Sequence, residues 1–245
     1  INLKLKNKAK ATWSCHGDAG GGWLWQPEGA VWDGELFAMC AMPGFQNITT
    51  FRTNNTGEDL SSSNTDFFAD RRGTGLSRYV SIGLPGVPSL NSNRTYFNRS
   101  FLVSTNNLRK LGRGEFKANI DYSFNRVTAN ASNITTYFLD EGNRVITENR
   151  DGTEHQHSFS GKFIYELNQK TAFINNTLQT NIVWNDISLS TIGSIPNTQS
   201  ADLPDYYISN RFKMIQRFKG KHLVTFESRN EWESLPQTLS LDVNG

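Results

Sequence analysis

The residues best placed by type for chemistry are His155 and His157, spaced i, i+2. On a strand that spacing turns both imidazoles to one side, where they could share a divalent cation. A zinc site needs three or four ligands, and no third lies nearby in sequence, so two exposed histidines are the stronger reading. Cys15 and Cys40 have no metal-site spacing. A hairpin turning through Gln26-Pro27-Glu28-Gly29 would set them opposite each other. A disulfide in an oxidising compartment and two free, small, buried side chains both stay open. Gly17-Asp18-Ala19-Gly20-Gly21-Gly22 is followed by no helix that could present its N-terminus to an anion; it reads as a bend or bulge in a strand. Acidic pairs such as Glu58-Asp59 offer no acid and base at glycosidase separation, and no Gly-x-Ser-x-Gly motif occurs. Asn-x-Ser/Thr triplets at Asn47, Asn54, Asn93, Asn98, Asn130, Asn133 and Asn175 are read as chance in a chain rich in Asn, Ser and Thr. No catalytic, cofactor-binding or metal-ligating residue is assigned, and no enzyme or cofactor is expected.

The elements that would position any site are strands. Helical periodicity is nearly absent, whereas alternation of period two recurs. In Phe116 to Phe124 the odd positions are polar and the even ones apolar or aromatic. Phe159, Gly161, Phe163, Tyr165 and Leu167 oppose Ser158, Ser160, Lys162 and Glu166. Ile174, Leu178, Ile182 and Trp184 oppose Asn175, Thr177, Gln179 and Asn181, and His222, Val224, Phe226 and Trp232 oppose Thr225, Glu227, Arg229 and Glu231. The fold expected is all-β, with about nine strands.

Composition narrows the setting. Of 245 residues, 36% are hydrophobic and 20% charged, and the net charge of +2 gives no reason to expect a nucleic-acid partner. No apolar run reaches the length of a transmembrane helix, about 18 residues, but a spanning strand needs only about ten, half of them polar. The chain starts at Ile1 without Met or signal peptide and is expected to be processed or partial.

Short and long connections alternate. Tight turns are expected at Pro43-Gly44-Phe45-Gln46, Leu111-Gly112-Arg113-Gly114, Leu167-Asn168-Gln169-Lys170 and Phe218-Lys219-Gly220-Lys221. Long polar connections are expected over Gly57 to Asn98, Arg126 to Glu154 and Asp186 to Tyr206. An up-and-down barrel in an outer membrane has that rhythm. A hairpin centred on Asp140-Glu141-Gly142-Asn143-Arg144 would bring Phe116 opposite Asn168, with arms of about 80 Å. Matching the apolar faces in that register requires a one-residue bulge. In a barrel Phe116, Ile120, Tyr122, Phe163 and Tyr165 would meet lipid, with Asn119, Asp121 and Lys162 facing the lumen.

Particular segments add a family resemblance. Ile1-Asn2-Leu3-Lys4-Leu5-Lys6 resembles the strand that closes the plug of TonB-dependent receptors. Pro85 to Leu90, Arg94-Thr95-Tyr96-Phe97-Asn98-Arg99-Ser100 and Asn106-Asn107-Leu108-Arg109-Lys110-Leu111 are similar to the early barrel of Bacteroidota receptors bearing a carboxypeptidase-like regulatory domain. Thr136-Tyr137-Phe138-Leu139 and Leu235-Pro236-Gln237-Thr238-Leu239 continue the similarity, while Trp13-Ser14-Cys15-His16 and Met39-Cys40 depart from it.

The resemblance implies a last plug strand and linker over residues 1–10. It makes 11–245 the N-terminal part of a transmembrane β-barrel with long outer loops, whose family members have about 22 strands. It implies energy-coupled uptake across a bacterial outer membrane, without bond chemistry. The implied partners are outer-membrane lipid, the TonB energy-transducing complex acting through segments outside this chain, and a surface lipoprotein. The substrate stays unassigned: Phe67, Phe68, Arg71, Arg72, Tyr206 and Tyr207 have the chemistry of ligand contacts and equally of solvated loops. The rival reading is a secreted all-β adhesin or glycan-binding module, whose apolar face would turn inward.

Overall fold

The computed structural model describes residues 11–25, 28–58, 60, 79–86, 97–220 and 222–243. These carry eleven strands and no α-helix: β1 (Thr12–Trp25), β2 (Glu28–Met42), β3 (Phe45–Asn54), β4 (Phe97–Leu111), β5 (Gly114–Leu139), β6 (Gly142–Asn168), β7 (Ala172–Ile192), β8 (Asn197–Asp202), β9 (Asp205–Arg217), β10 (Leu223–Ser234) and β11 (Thr238–Val243). All pairing is antiparallel between neighbours in sequence, apart from two interruptions. The register of β7 with β8 (Asp186 opposite Asp202) continues unshifted into that with β9 (Ala172 opposite Gln216). Likewise β11 on β8 continues the register of β10 on β9. Pro204 and Pro236 fall opposite each other in the gap, and neither can donate to the ladder. Leu203 N–H still bonds Asn185 O at 2.8 Å, which holds the register across the break. The eleven segments are therefore nine continuous strands in an up-and-down sheet, as the alternation predicts. Its two edges are β1 and the β10–β11 strand.

The turns at Pro43-Gly44, Gly112-Arg113, Lys170-Thr171 and Lys219-Gly220 all lie at one end of the sheet, because every second connection of a meander does. Lys110 N–H bonds Gly44 O at 2.8 Å, tying two of them together. The segments before and after Asp140 are neighbours, but in a different register from the expected one. Phe116 lies opposite Tyr165, three residues from Asn168. The loop is only Asp140-Glu141, and Gly142 follows it with φ of 123°, a backbone region closed to larger side chains. The hairpin thus closes before the glycine instead of around it. In this register the apolar faces match directly and no bulge is needed.

Other expectations are corrected too. The β1–β2 pairing sets Cys15 opposite Ala38 and Cys40 opposite Trp13, so the cysteines are diagonal and both free. β1 runs through its glycines without a bulge. Arg126 to Glu154 is a paired ribbon, and Asp186 to Tyr206 is strand on both sides of a turn at 193–196. Residues 1–10, the Gln26-Pro27 turn, Phe67, Phe68, Arg71, Arg72 and Asn93 lie outside the described residues.

The two faces differ sharply. One carries Trp32, Leu36, Phe51, Phe101, Val103, Phe116, Ile120, Tyr122, Phe124, Phe159, Phe163, Tyr165, Ile182, Trp184, Tyr206, Phe212, Phe226 and Trp232. Ring contacts run across it strand by strand: Phe101 to Phe124 at 5.6 Å, Phe124 to His157 at 4.7 Å, Trp184 to Tyr206 at 6.4 Å and Phe212 to Phe226 at 5.9 Å. The opposite face carries mostly Asn, Ser, Thr, Asp, Lys and Arg, with apolar residues such as Leu102, Val183, Ile187 and Leu189 among them.

Burial differs between the two faces. Asn119 and Asp121 are 3% exposed, while Trp184 is 40% and Trp232 55% exposed.

Candidate functional site

The polar face is a hydrogen-bonded wall. Asn98 Nδ2 donates to Asn54 Oδ1 (3.0 Å), Glu58 O (2.9 Å) and Ser100 Oγ (2.8 Å), and Asn98 Oδ1 accepts from Gly57 N–H at 2.9 Å. Ser100 Oγ donates to Asn125 Oδ1 at 2.6 Å, and Asn119 Nδ2 to Asn106 Oδ1 at 2.5 Å. Charges on this face are paired: across strands Arg52 with Glu35, Lys213 with Glu227 and Arg211 with Glu231, along β10 Arg229 with Glu231, and from β3 to the following connection Arg52 with Glu58. Asn98 also fixes the start of the long β3–β4 connection. Being buried at 5%, as Asn54 is at 1%, neither is open to glycosylation.

Part of that connection, residues 79–86, returns across the wall as a strap. Tyr79 N–H and Val80 N–H both donate to Gln237 Oε1 at 3.0 Å, beside the Pro236 break. Ile82 then packs with Ile187, Leu189, Ala201 and Leu203, the main apolar patch on this face, with Val80 and Leu84 against it. The strap next passes over β6 at Gly152, where a Cβ would lie 2.7 Å from Leu84 Cδ2 and 3.0 Å from Pro85 Cδ. Only a residue without a side chain lets the strap so close. Sequence reasoning missed this contact, since Asp151-Gly152 reads as a turn dipeptide and fell within a presumed loop.

Beside the strap lies a cavity of about 460 Å³, lined by Ser81, Ile82, Glu148, Arg150, Thr191 and Gln199 among others. Glu148 and Arg150 are ion-paired at 2.5 Å. The lining can hydrogen-bond a small polar ligand over an apolar floor of Ile82 and Leu189.

The residues singled out from sequence lie elsewhere. Tyr206 and Tyr207 are strand residues, not loop residues: Tyr206 stacks edge-on to Trp184, and the Tyr207 hydroxyl is 3.5 Å from Glu231 Oε1. His155 and His157 share the aromatic face, with His157 Nδ1 2.7 Å from the Tyr122 hydroxyl. His155 stands between Arg126 and Asp186. Among the described residues no three His, Cys, Asp or Glu side chains converge as metal ligands. Asp186 and Asp202 are direct cross-strand neighbours just past Trp184. Burial, together with the hydrogen bond and charge of Asp202, pushes the Asp186 carboxyl above its ordinary range against the opposing pull of His155 and His157. No family model matches the chain, and no curated protein matches it.

Proposed function

We propose that the chain is part of the wall of a bacterial outer-membrane β-barrel serving TonB-dependent, energy-coupled uptake. The observation that carries the membrane reading is the reversed burial: exposed aromatics on one face, buried amides and carboxylates on the other. From Phe116 to Phe124 the apolar stretch of β5 is nine residues, close to the roughly ten that a tilted strand needs to cross a bilayer. Polar groups within the aromatic face satisfy one another, as lipid would require. Asn47 Nδ2 donates to Asn107 Oδ1 at 2.7 Å, and Asn210 Nδ2 to Asn176 Oδ1 at 3.0 Å.

In this reading the short turns face the periplasm and the β5–β6 ribbon projects outward. The strap and its cavity narrow the passage on the capture side. The uptake step and its partners, the TonB complex and a surface lipoprotein lid, rest on the family resemblance. Cysteine labelling on intact cells tests the arrangement. Ser200→Cys should react with an impermeant reagent and Arg113→Cys should not. Equal labelling would overturn the topology. A chain that stays monomeric in water without detergent would favour the secreted module instead.

A further inference from the structure

Arg99 of β4 lies directly opposite Arg126 of β5 on the aromatic face, and both are exposed. Side chains so paired have Cβ atoms about 5 Å apart, and like charges there repel. Among the described residues neither guanidinium has a carboxylate within ion-pair distance, whereas Arg52, Lys117, Arg150, Lys213 and Arg229 each have one. His155 follows Arg126 in the same row and separates the pair from Asp186. The two arginines share a recess of about 190 Å³ with Phe97, Asn98 and Thr128. The position is the margin of the aromatic belt, since Phe97 and Phe101 flank Arg99 and Phe124 precedes Arg126. Beyond Arg126 the face turns polar with Thr128 and Asn130.

Two guanidinium forks and a hydroxyl lining one recess match the oxygens of a phosphate monoester, each fork able to give two charge-assisted hydrogen bonds. We propose that Arg99 and Arg126 clamp the phosphate of a membrane-lipid headgroup where the belt meets the aqueous boundary. This rests on the membrane-spanning reading. The belt below the clamp would hold the acyl chains, so a lipid brings its phosphate to this height, whereas a free anion has no such guide.

The full chain is placed in nanodiscs of phosphatidylcholine alone, or doped with phosphatidic acid or a bisphosphorylated glycolipid. Bound lipid is then counted by native mass spectrometry after detergent extraction. Retention of the phosphate-monoester lipid is expected, weakened about tenfold for each arginine removed in Arg99→Gln and Arg126→Gln. The double lysine variant, which keeps charge and loses the fork, should fall between. Equal retention by the wild type and the double glutamine variant overturns the clamp, and so does equal protection of the protein by inorganic phosphate. Failure to enter phosphatidylcholine discs at all would overturn the membrane reading, and the clamp with it.

Discussion

Placing a valine at Gly152 should lift the strap off the wall without unfolding the sheet. The first added carbon would already sit 2.7 Å from Leu84 and 3.0 Å from the Pro85 ring, and valine branches at that carbon. Leu84 can rotate away, but the proline ring is tied to the backbone, so residues 84–86 must move. What holds the strap is modest. Burying Ile82 contributes about 2–3 kcal/mol, and the half-buried Val80 and Leu84 add about 1 kcal/mol each. Losing the Leu84 contacts and part of the Ile82 burial should cost about 2–3 kcal/mol, roughly a hundredfold fall in protection against local opening. β6 itself should accept valine readily, as a β-branched residue suits a strand.

Amide hydrogen exchange in detergent micelles reads this at Tyr79 and Val80, whose N–H groups bond Gln237. Their exchange should accelerate about a hundredfold in Gly152→Val while Asn119 and Tyr122 on β5 stay protected. Unchanged protection at Val80 in a folded variant would refute the reasoning. Loss of protection throughout β5 and β6 would refute the claim that the strap is a local unit.

Three further outcomes follow from the same geometry. Ile120→Arg should destabilise protein folded in lipid vesicles by about 2–4 kcal/mol in urea unfolding; a water-facing position would lose less than about 0.5 kcal/mol. Asn98→Ala strands the buried Gly57 N–H and Asn54 amide, and should cost about 2–4 kcal/mol in the same assay. Asp186 has its carboxyl raised by the fold, so its contribution is present at acid pH and is lost as pH rises through the folded-state value. Asp186→Asn should therefore gain stability over the wild type as the pH goes from about 4 to 7, and an unchanged difference in melting temperature across that range would refute it.

The sequence alone determined the strands and their faces. Alternation in Phe116 to Phe124 and in Phe159 to Leu167 states which side chains share a side, because the strand period of two leaves no choice. Turn residues such as Pro43-Gly44 and Gly112 marked the short connections, and their spacing sufficed for nine strands up and down. What a face meets is not local information. That the amide face is the buried one and the aromatic face the open one depends on what the rest of the chain lays against each side, as residues 79–86 do on the amide face.

Register was not legible either. It hangs on which two residues close a hairpin, and Asp140-Glu141 closes it while Gly142 takes up the positive φ just after. The same uncertainty of two or three residues separated Cys15 from Cys40. The opposition of Arg99 and Arg126 hangs on the register of the β4–β5 hairpin, and the meeting of Pro204 with Pro236 on that of the β9–β10 hairpin. The strap needed more still. Residues 79–86 carry no periodic pattern, and their place is set by an apolar patch built from β7 and β8 over a hundred residues further along the chain.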